Sequence, residues 1–246
     1  MRVLRLGTSN DAAGSLPEDQ RGWKIAERRL AEATGDPVET ILKGAWPNAA
    51  FASRLESWMD EYKPDLVVLQ INNFWYGYES IPLWFERRLG RPGVSVNRIG
   101  LKLRNSPRFA DSRWAQLVSR SLLRVLPSTT HFTIPEVATC MEGAMRKILA
   151  REGIILLVRG NDDWASMPMA SRRFNRRNHA RNAAMSSAMR SMCERLRVPY
   201  VQRPTLQAGE LQTVNGAGWH YDAQGERQGG EFDAEAMTAA WLAVRA

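Results

Sequence analysis

The chain is short of the residues that staple or anchor a protein. Only two cysteines, Cys140 and Cys193, occur among its 246 residues, which excludes a disulfide-scaffold fold. Both fall in helix-like apolar patterns and read as buried free thiols. No run of eighteen apolar residues occurs, which excludes a membrane-spanning helix. The first six residues, Met1 to Leu6, lack the long apolar core and cleavage site of a secretory leader. The expected location is therefore the cytoplasm.

What is present is an ordinary globular composition. Hydrophobic residues make up 44% and charged residues 24%, which excludes wholesale disorder and a coiled coil. The length fits one large domain or two small ones, and it buries a core without a disulfide or metal. The net charge of +8 favours acidic partners: nucleic acid, anionic lipid or an acidic substrate. The basic residues are spread widely, with one dense cluster at Arg172-Arg173-Phe174-Asn175-Arg176-Arg177-Asn178-His179-Ala180-Arg181.

Short apolar runs alternate with amphipathic stretches. Strands are expected at Val3–Leu6, Val38–Leu42, Leu66–Ile71, Ile154–Val158 and Val198–Gln202. The third has Gln70 as its only polar member, as suits a strand buried on both faces of a parallel sheet. Helices are expected over 17–33, 48–62, 134–152, 179–196 and about 233–244, from apolar residues at helical spacing. The β-α alternation predicts a doubly wound three-layer α/β/α sandwich with about five parallel strands. Residues 74–130 break the pattern. They hold Phe74-Trp75-Tyr76, a helix at 80–89, a Gly/Pro-rich stretch at 90–107 and a helix near 112–126. They read as an insertion in a single domain spanning 1–246, placed as a lid or as a helical extension of the core.

In such a sheet, ligands gather outside the carboxyl ends of the strands. After the first strand comes Gly7-Thr8-Ser9-Asn10-Asp11. A serine at a strand-to-helix turn suits a nucleophile, and it needs a base. Of the three histidines, His220 lies in Gly218-Trp219-His220-Tyr221-Asp222, in the loop before the final helix. That loop can return to the end of the first strand, where a neutral imidazole would take the serine proton. His179 sits among arginines and His131 follows a Ser-Thr-Thr turn, so neither has a comparable setting.

These residues resemble the SGNH hydrolases, the GDSL esterase and lipase family. Gly7-Thr8-Ser9 matches the first block, with Thr8 for the family aspartate. Gly44, in Lys43-Gly44-Ala45-Trp46-Pro47, matches the second. Asn72-Asn73 follows the third strand, with Ile71 and Phe74 in place of the block's glycine and aspartate. His220 followed by Gly225 matches the last block. The resemblance implies a flavodoxin-like SGNH fold and no cofactor. It also implies a nucleophile at Ser9 and a base at His220. The oxyanion hole would be made by the Ser9 and Gly44 amides and an asparagine side chain. Asn73 is preferred over Asn72. Asn161, in Arg159-Gly160-Asn161-Asp162-Asp163, is a further candidate that comes late in chain order. The acid expected three residues before His220 is replaced by Ala217. Asn215, Asp222, a backbone carbonyl or a bare Ser–His pair is left to serve. The loss of that acid also keeps open a catalytically inactive binding protein, and acyl transfer to another alcohol is a variant of the same chemistry.

The remaining features read more plainly. Asp162 and Asp163 read as a helix cap or a solvated pair rather than a Mg²⁺ site, since no further ligand joins them. The arginine run reads first as a solvated face, with Arg172 and Arg173 as contacts for an acidic substrate. No helix-turn-helix, zinc-finger or RNA-binding signature accompanies it, so no specific nucleic-acid partner is expected. Nine tryptophans is a high count. Of them Trp46, Trp75 and Trp219, with Phe74, are candidates to line an apolar or sugar-stacking pocket. The expected substrate is a small-molecule, lipid or sugar ester. The oligomeric state is not legible.

Overall fold

In the computed structural model the described residues are 1–7, 11, 16–104, 121–122, 125–160, 172–202 and 221–245. In chain order the elements are β1 (Arg2–Leu6), α1 (Gly22–Thr34), β2 (Glu39–Lys43), α2 (Phe51–Tyr62), β3 (Leu66–Gln70), α3 (Ile81–Leu89) and α4 (Arg91–Arg104). They continue with α5 (Ile134–Leu149), β4 (Ile155–Gly160), α6 (Arg172–Leu196), β5 (Tyr200–Gln202) and α7 (Ala223–Arg245). The five strands form one sheet in the order β2-β1-β3-β4-β5, and every pairing is parallel.

The strand sequences explain their places. Leu66 to Gln70 is buried throughout, and β3 is the middle strand. Fully burying each such aliphatic side chain is worth about 1.5–3 kcal/mol, which rewards putting the most apolar run at the centre. Glu39–Lys43 and Tyr200–Gln202 are only half-buried and form the edges. Alternate strand residues feed two cores. Leu4, Leu6, Val67, Leu69, Leu156 and Val158 pack beneath α2, α5 and α6. Val3, Leu66, Val68 and Leu157 pack beneath α1 and α7.

Three helices exceed the sequence expectation. The stretch at 90–107 is helical from Arg91 to Arg104. Pro92 sits in the first turn, where a missing N–H costs nothing, so the proline starts the helix rather than breaking it. The last helix begins at Ala223 and not near residue 233. Gly225, Gly229 and Gly230 dilute its helical pattern. Two contacts fix the early turns instead. Asp222 Oδ1 accepts the Gly225 N–H at 2.8 Å, and Glu226 Oε2 accepts the Gly22 N–H of α1 at 2.6 Å. A carboxylate at the α1 N-terminus also complements its dipole. The helix expected at 179–196 likewise begins earlier, at Arg172. The helix expected near 112–126 lies largely outside the described residues.

Candidate active site

All five strands run the same way, so their carboxyl ends share one edge. The chain passes from β1 outward to β2, then crosses to β3, β4 and β5 on the other side. The switch point therefore lies between β1 and β3, where a crevice opens in sheets of this kind. Gly7 leaves β1 there, Gly44 leaves β2 beside it, and Asn72-Asn73 leave β3. The three segments that carry the sequence motifs thus converge on one edge.

Ser9 lies outside the described residues, but Gly7 and Asp11, the nearest described residues on either side, are held in place. The Gly7 N–H donates to the Lys43 carbonyl at 2.8 Å, tying the start of this loop to the strand that precedes Gly44. Asp11, on the other side, is buried and pairs with Arg5 of β1, Nη2 to Oδ1 at 3.0 Å. Arg5 also meets Asp233 of α7, Nη1 to Oδ2 at 2.7 Å. Arg159 of β4 completes the chain, Nε to Asp233 Oδ1 at 2.9 Å. All four groups are buried. They form a charged seam between the sheet and α7 that includes Asp11, two residues after Ser9 in the chain.

Gly44 is exposed, with nothing within 4 Å of a Cβ built on it, so its backbone faces open space. Asn72 and Asn73 are in different settings. Asn72 caps the 3₁₀ turn Asn73–Trp75, its Oδ1 accepting the Phe74 N–H at 2.9 Å. Asn73 is 2% exposed, its carbonyl accepting from the amides of Tyr76 and Gly77. Its side chain lies against Gly77, as does that of Asn178 from α6. A Cβ on Gly77 would stand 1.7 Å from Asn73 Oδ1 and 2.4 Å from Asn178 Oδ1. Only glycine leaves room for both amides. Gly77→Ala is expected to cost about 1–3 kcal/mol as forced overpacking. The readout is the urea unfolding midpoint, and an unchanged midpoint would contradict this packing.

An aromatic wall rises beside these loops. The Trp46 ring after β2 lies 5.9 Å from Phe74 after β3, and His131 stands 5.0 Å from each of them. Phe132 and Tyr78 extend the wall, and Phe174 at the start of α6 closes it 6.1 Å from Tyr78. Trp46 is 41% exposed, which leaves its indole open to a ligand. His131, which has no distinctive local sequence, is therefore brought to the site by topology alone. Trp75, by contrast, is buried in the larger core and does not line this wall. Trp219 lies outside the described residues.

Of the arginine run, Arg172 and Arg173 are exposed at the start of α6. Arg177 and Arg181 are committed. Both bind the buried Glu79 carboxylate, at 2.6 and 2.7 Å. Ser128 donates to the same carboxylate at 2.8 Å, and Ser80 and Thr129 form an antiparallel bridge beside it. Both ends of the insertion are thus fastened to each other and to α6.

Asp222, a candidate to orient the base, spends one carboxylate oxygen capping α7. His220 and Asn161 lie outside the described residues, although α7 starts only three residues after His220. Neither cysteine is a ready nucleophile. Burial pushes both thiols up to about 11, which keeps them protonated at neutral pH. Cys193 is buried as expected, whereas Cys140 is half-buried. Among the described residues, no group of three or more His, Cys, Asp or Glu side chains could hold a metal ion. No helix among them is long and apolar enough to cross a membrane.

No family model matches the chain, and no curated protein matches it. Solved structures do. An aryl esterase from M. smegmatis superposes with a TM-score of 0.55 at 14% identity, over 97% of this chain and 99% of that one. A carbohydrate acetylesterase from Sinorhizobium meliloti gives 0.57 at 14%, over 97% and 98%. A protein assigned to the G-D-S-L lipolytic family, from Desulfitobacterium hafniense, gives 0.54 at 10%, over 96% and 98%. The chain has the SGNH hydrolase fold. At these identities the likeness is one of fold. The parallel order and the coverage of nearly the whole chain agree with the three-layer sandwich expected from the sequence.

Proposed function

We propose that the chain is a serine ester hydrolase of the SGNH type. The observation that carries this proposal is the convergence of Gly7, Gly44 and Asn72-Asn73 on one sheet edge at the switch point, in a fold shared with esterases. Ser9 Oγ attacks the ester carbonyl while His220 takes its proton. The oxyanion that forms is held by the Ser9 and Gly44 N–H groups and by Asn73. His220 then protonates the leaving alcohol, the acyl group stays on Ser9, and water releases the acid by the same steps in reverse. Each oxyanion donor acts on charge that develops only in the transition state, and removing one typically costs about 2.7–4 kcal/mol.

The wall of Trp46, Phe74 and His131 supports a ring-bearing or apolar substituent next to the oxyanion hole. The exposed Arg172 and Arg173 support an acidic group farther out. The test is turnover of p-nitrophenyl esters from acetate to octanoate by folded protein, with the dependence on acyl length marking the pocket. Absence of turnover on every ester, with no acyl transfer to added alcohols, would count against the proposal. It would favour the binding-protein alternative that Ala217 keeps open.

A further inference from the structure

One segment of this protein carries a large excess of positive charge. Residues 81–130 carry ten of the 34 Lys and Arg and two of the 26 Asp and Glu. That is a net +8, equal to the charge of the whole chain, and the other residues balance at 24 of each sign. The same segment concentrates exposed apolar side chains. Of the nine large hydrophobics exposed among the described residues, five lie in it: Leu89, Val94, Ile99, Leu122 and Val125.

The two properties share one surface on α4. This helix packs on α3 through Gly93, where a Cβ would stand 2.0 Å from the Phe85 carbonyl oxygen. Close backbone approach on that side turns the opposite face of the helix to solvent. That face presents Arg91, Val94, Arg98 and Ile99, with Ile99 60% exposed. Arg88 and Leu89 continue it at the end of α3. Arg87, nearby, is partly committed to the insertion's base, donating to the Thr130 and His131 carbonyls.

We infer that the α3–α4 cap is a docking surface for an anionic lipid bilayer. Arginines alone would suit a nucleic-acid backbone as well. The interleaved aliphatic side chains decide between them, because they gain nothing from a phosphodiester backbone. At a bilayer they enter the boundary between headgroups and acyl chains while the arginines meet anionic headgroups. The cap is also rooted where docking matters. Its base at Glu79, Ser80, Ser128 and Thr129 adjoins the Phe74–Tyr78 segment that leaves β3. A bilayer against the cap therefore lies near the candidate site.

The test is co-sedimentation with vesicles of phosphatidylcholine, alone or mixed with phosphatidylglycerol, at low and high salt. The wild type is expected to bind the mixed vesicles, to release them at high salt and to ignore pure phosphatidylcholine. An Arg91→Glu, Arg98→Glu double variant loses two arginines, and its partition coefficient should fall by at least roughly twenty-fivefold. A Val94→Asp, Ile99→Asp variant should also bind the vesicles more weakly, while its retention on double-stranded DNA falls no more than its changed charge requires. All four positions are exposed, so circular dichroism and hydrolysis of a soluble ester should match wild type. Absence of binding to mixed vesicles would overturn the inference, as would equal binding by the variants. Retention on DNA without vesicle binding would assign the surface to nucleic acid instead. Because the readout is binding, it stands or falls separately from the hydrolase proposal.

Discussion

Ser9→Ala lowers kcat for p-nitrophenyl acetate by roughly 10⁴–10⁶-fold, and His220→Ala does the same, if the two act as one unit. The double variant should be scarcely worse than either single one. A nucleophile without its base is nearly as inert as a base without its nucleophile, so the losses do not add. Additive losses would mean that the two residues serve different steps. The stability of the variants, read as the urea unfolding midpoint, should match wild type. Asp222→Asn is informative beside them. It keeps much of the cap on the Gly225 N–H, so a large loss of kcat with unchanged stability would place its carboxylate behind His220. A small loss would leave His220 to another partner or to none.

Arg5→Met is expected to destabilise the fold by about 3–5 kcal/mol, because removing one partner of a buried ion pair leaves uncompensated charge. The side chain is 2% exposed and bridges Asp11 to Asp233 at 3.0 and 2.7 Å. Methionine fills much of the volume, so the loss reports charge and hydrogen bonding rather than a cavity. After the change, Asp233 keeps its pair with Arg159, and Asp11 loses the guanidinium beside it. Arg5→Lys keeps the charge but not the fork that reaches two carboxylates at once, and should fall between the two. Urea unfolding measures both. A loss in Arg5→Met no larger than that of an exposed surface change would contradict the seam's role. The seam holds Asp11, two residues after Ser9, so partial loss of kcat should accompany the loss of stability.

Much of the fold was legible because its signals are local. Leu66 to Ile71 reads as a buried strand from its unbroken apolar run, and Met141, Met145, Met185 and Met189 fall at helical spacing on faces that prove buried. Strand order is not local, and neither is the seam. Arg5 and Arg159 stand in short apolar strands where hydropathy alone predicts nothing charged, and their partners come from residues 11 and 233. The helix at Arg91–Arg104 was hidden by Pro92 and Gly93, residues that break a helix interior. Here the first sits in the opening turn and the second serves contact with α3. Gly44 and Asn73 were proposed from the order and spacing of the motifs. His131 was not, because its place between Trp46 and Phe74 depends on three separate loops meeting.

As proposed, Ser9 is an activated nucleophile, and a fluorophosphonate probe reads that directly. After incubation of folded wild type, intact mass followed by peptide mapping should find one adduct, on the peptide that contains Ser9. The adduct should be absent from Ser9→Ala and form far more slowly in His220→Ala. A folded wild type that takes up no probe, or takes it up on another serine, would contradict the account.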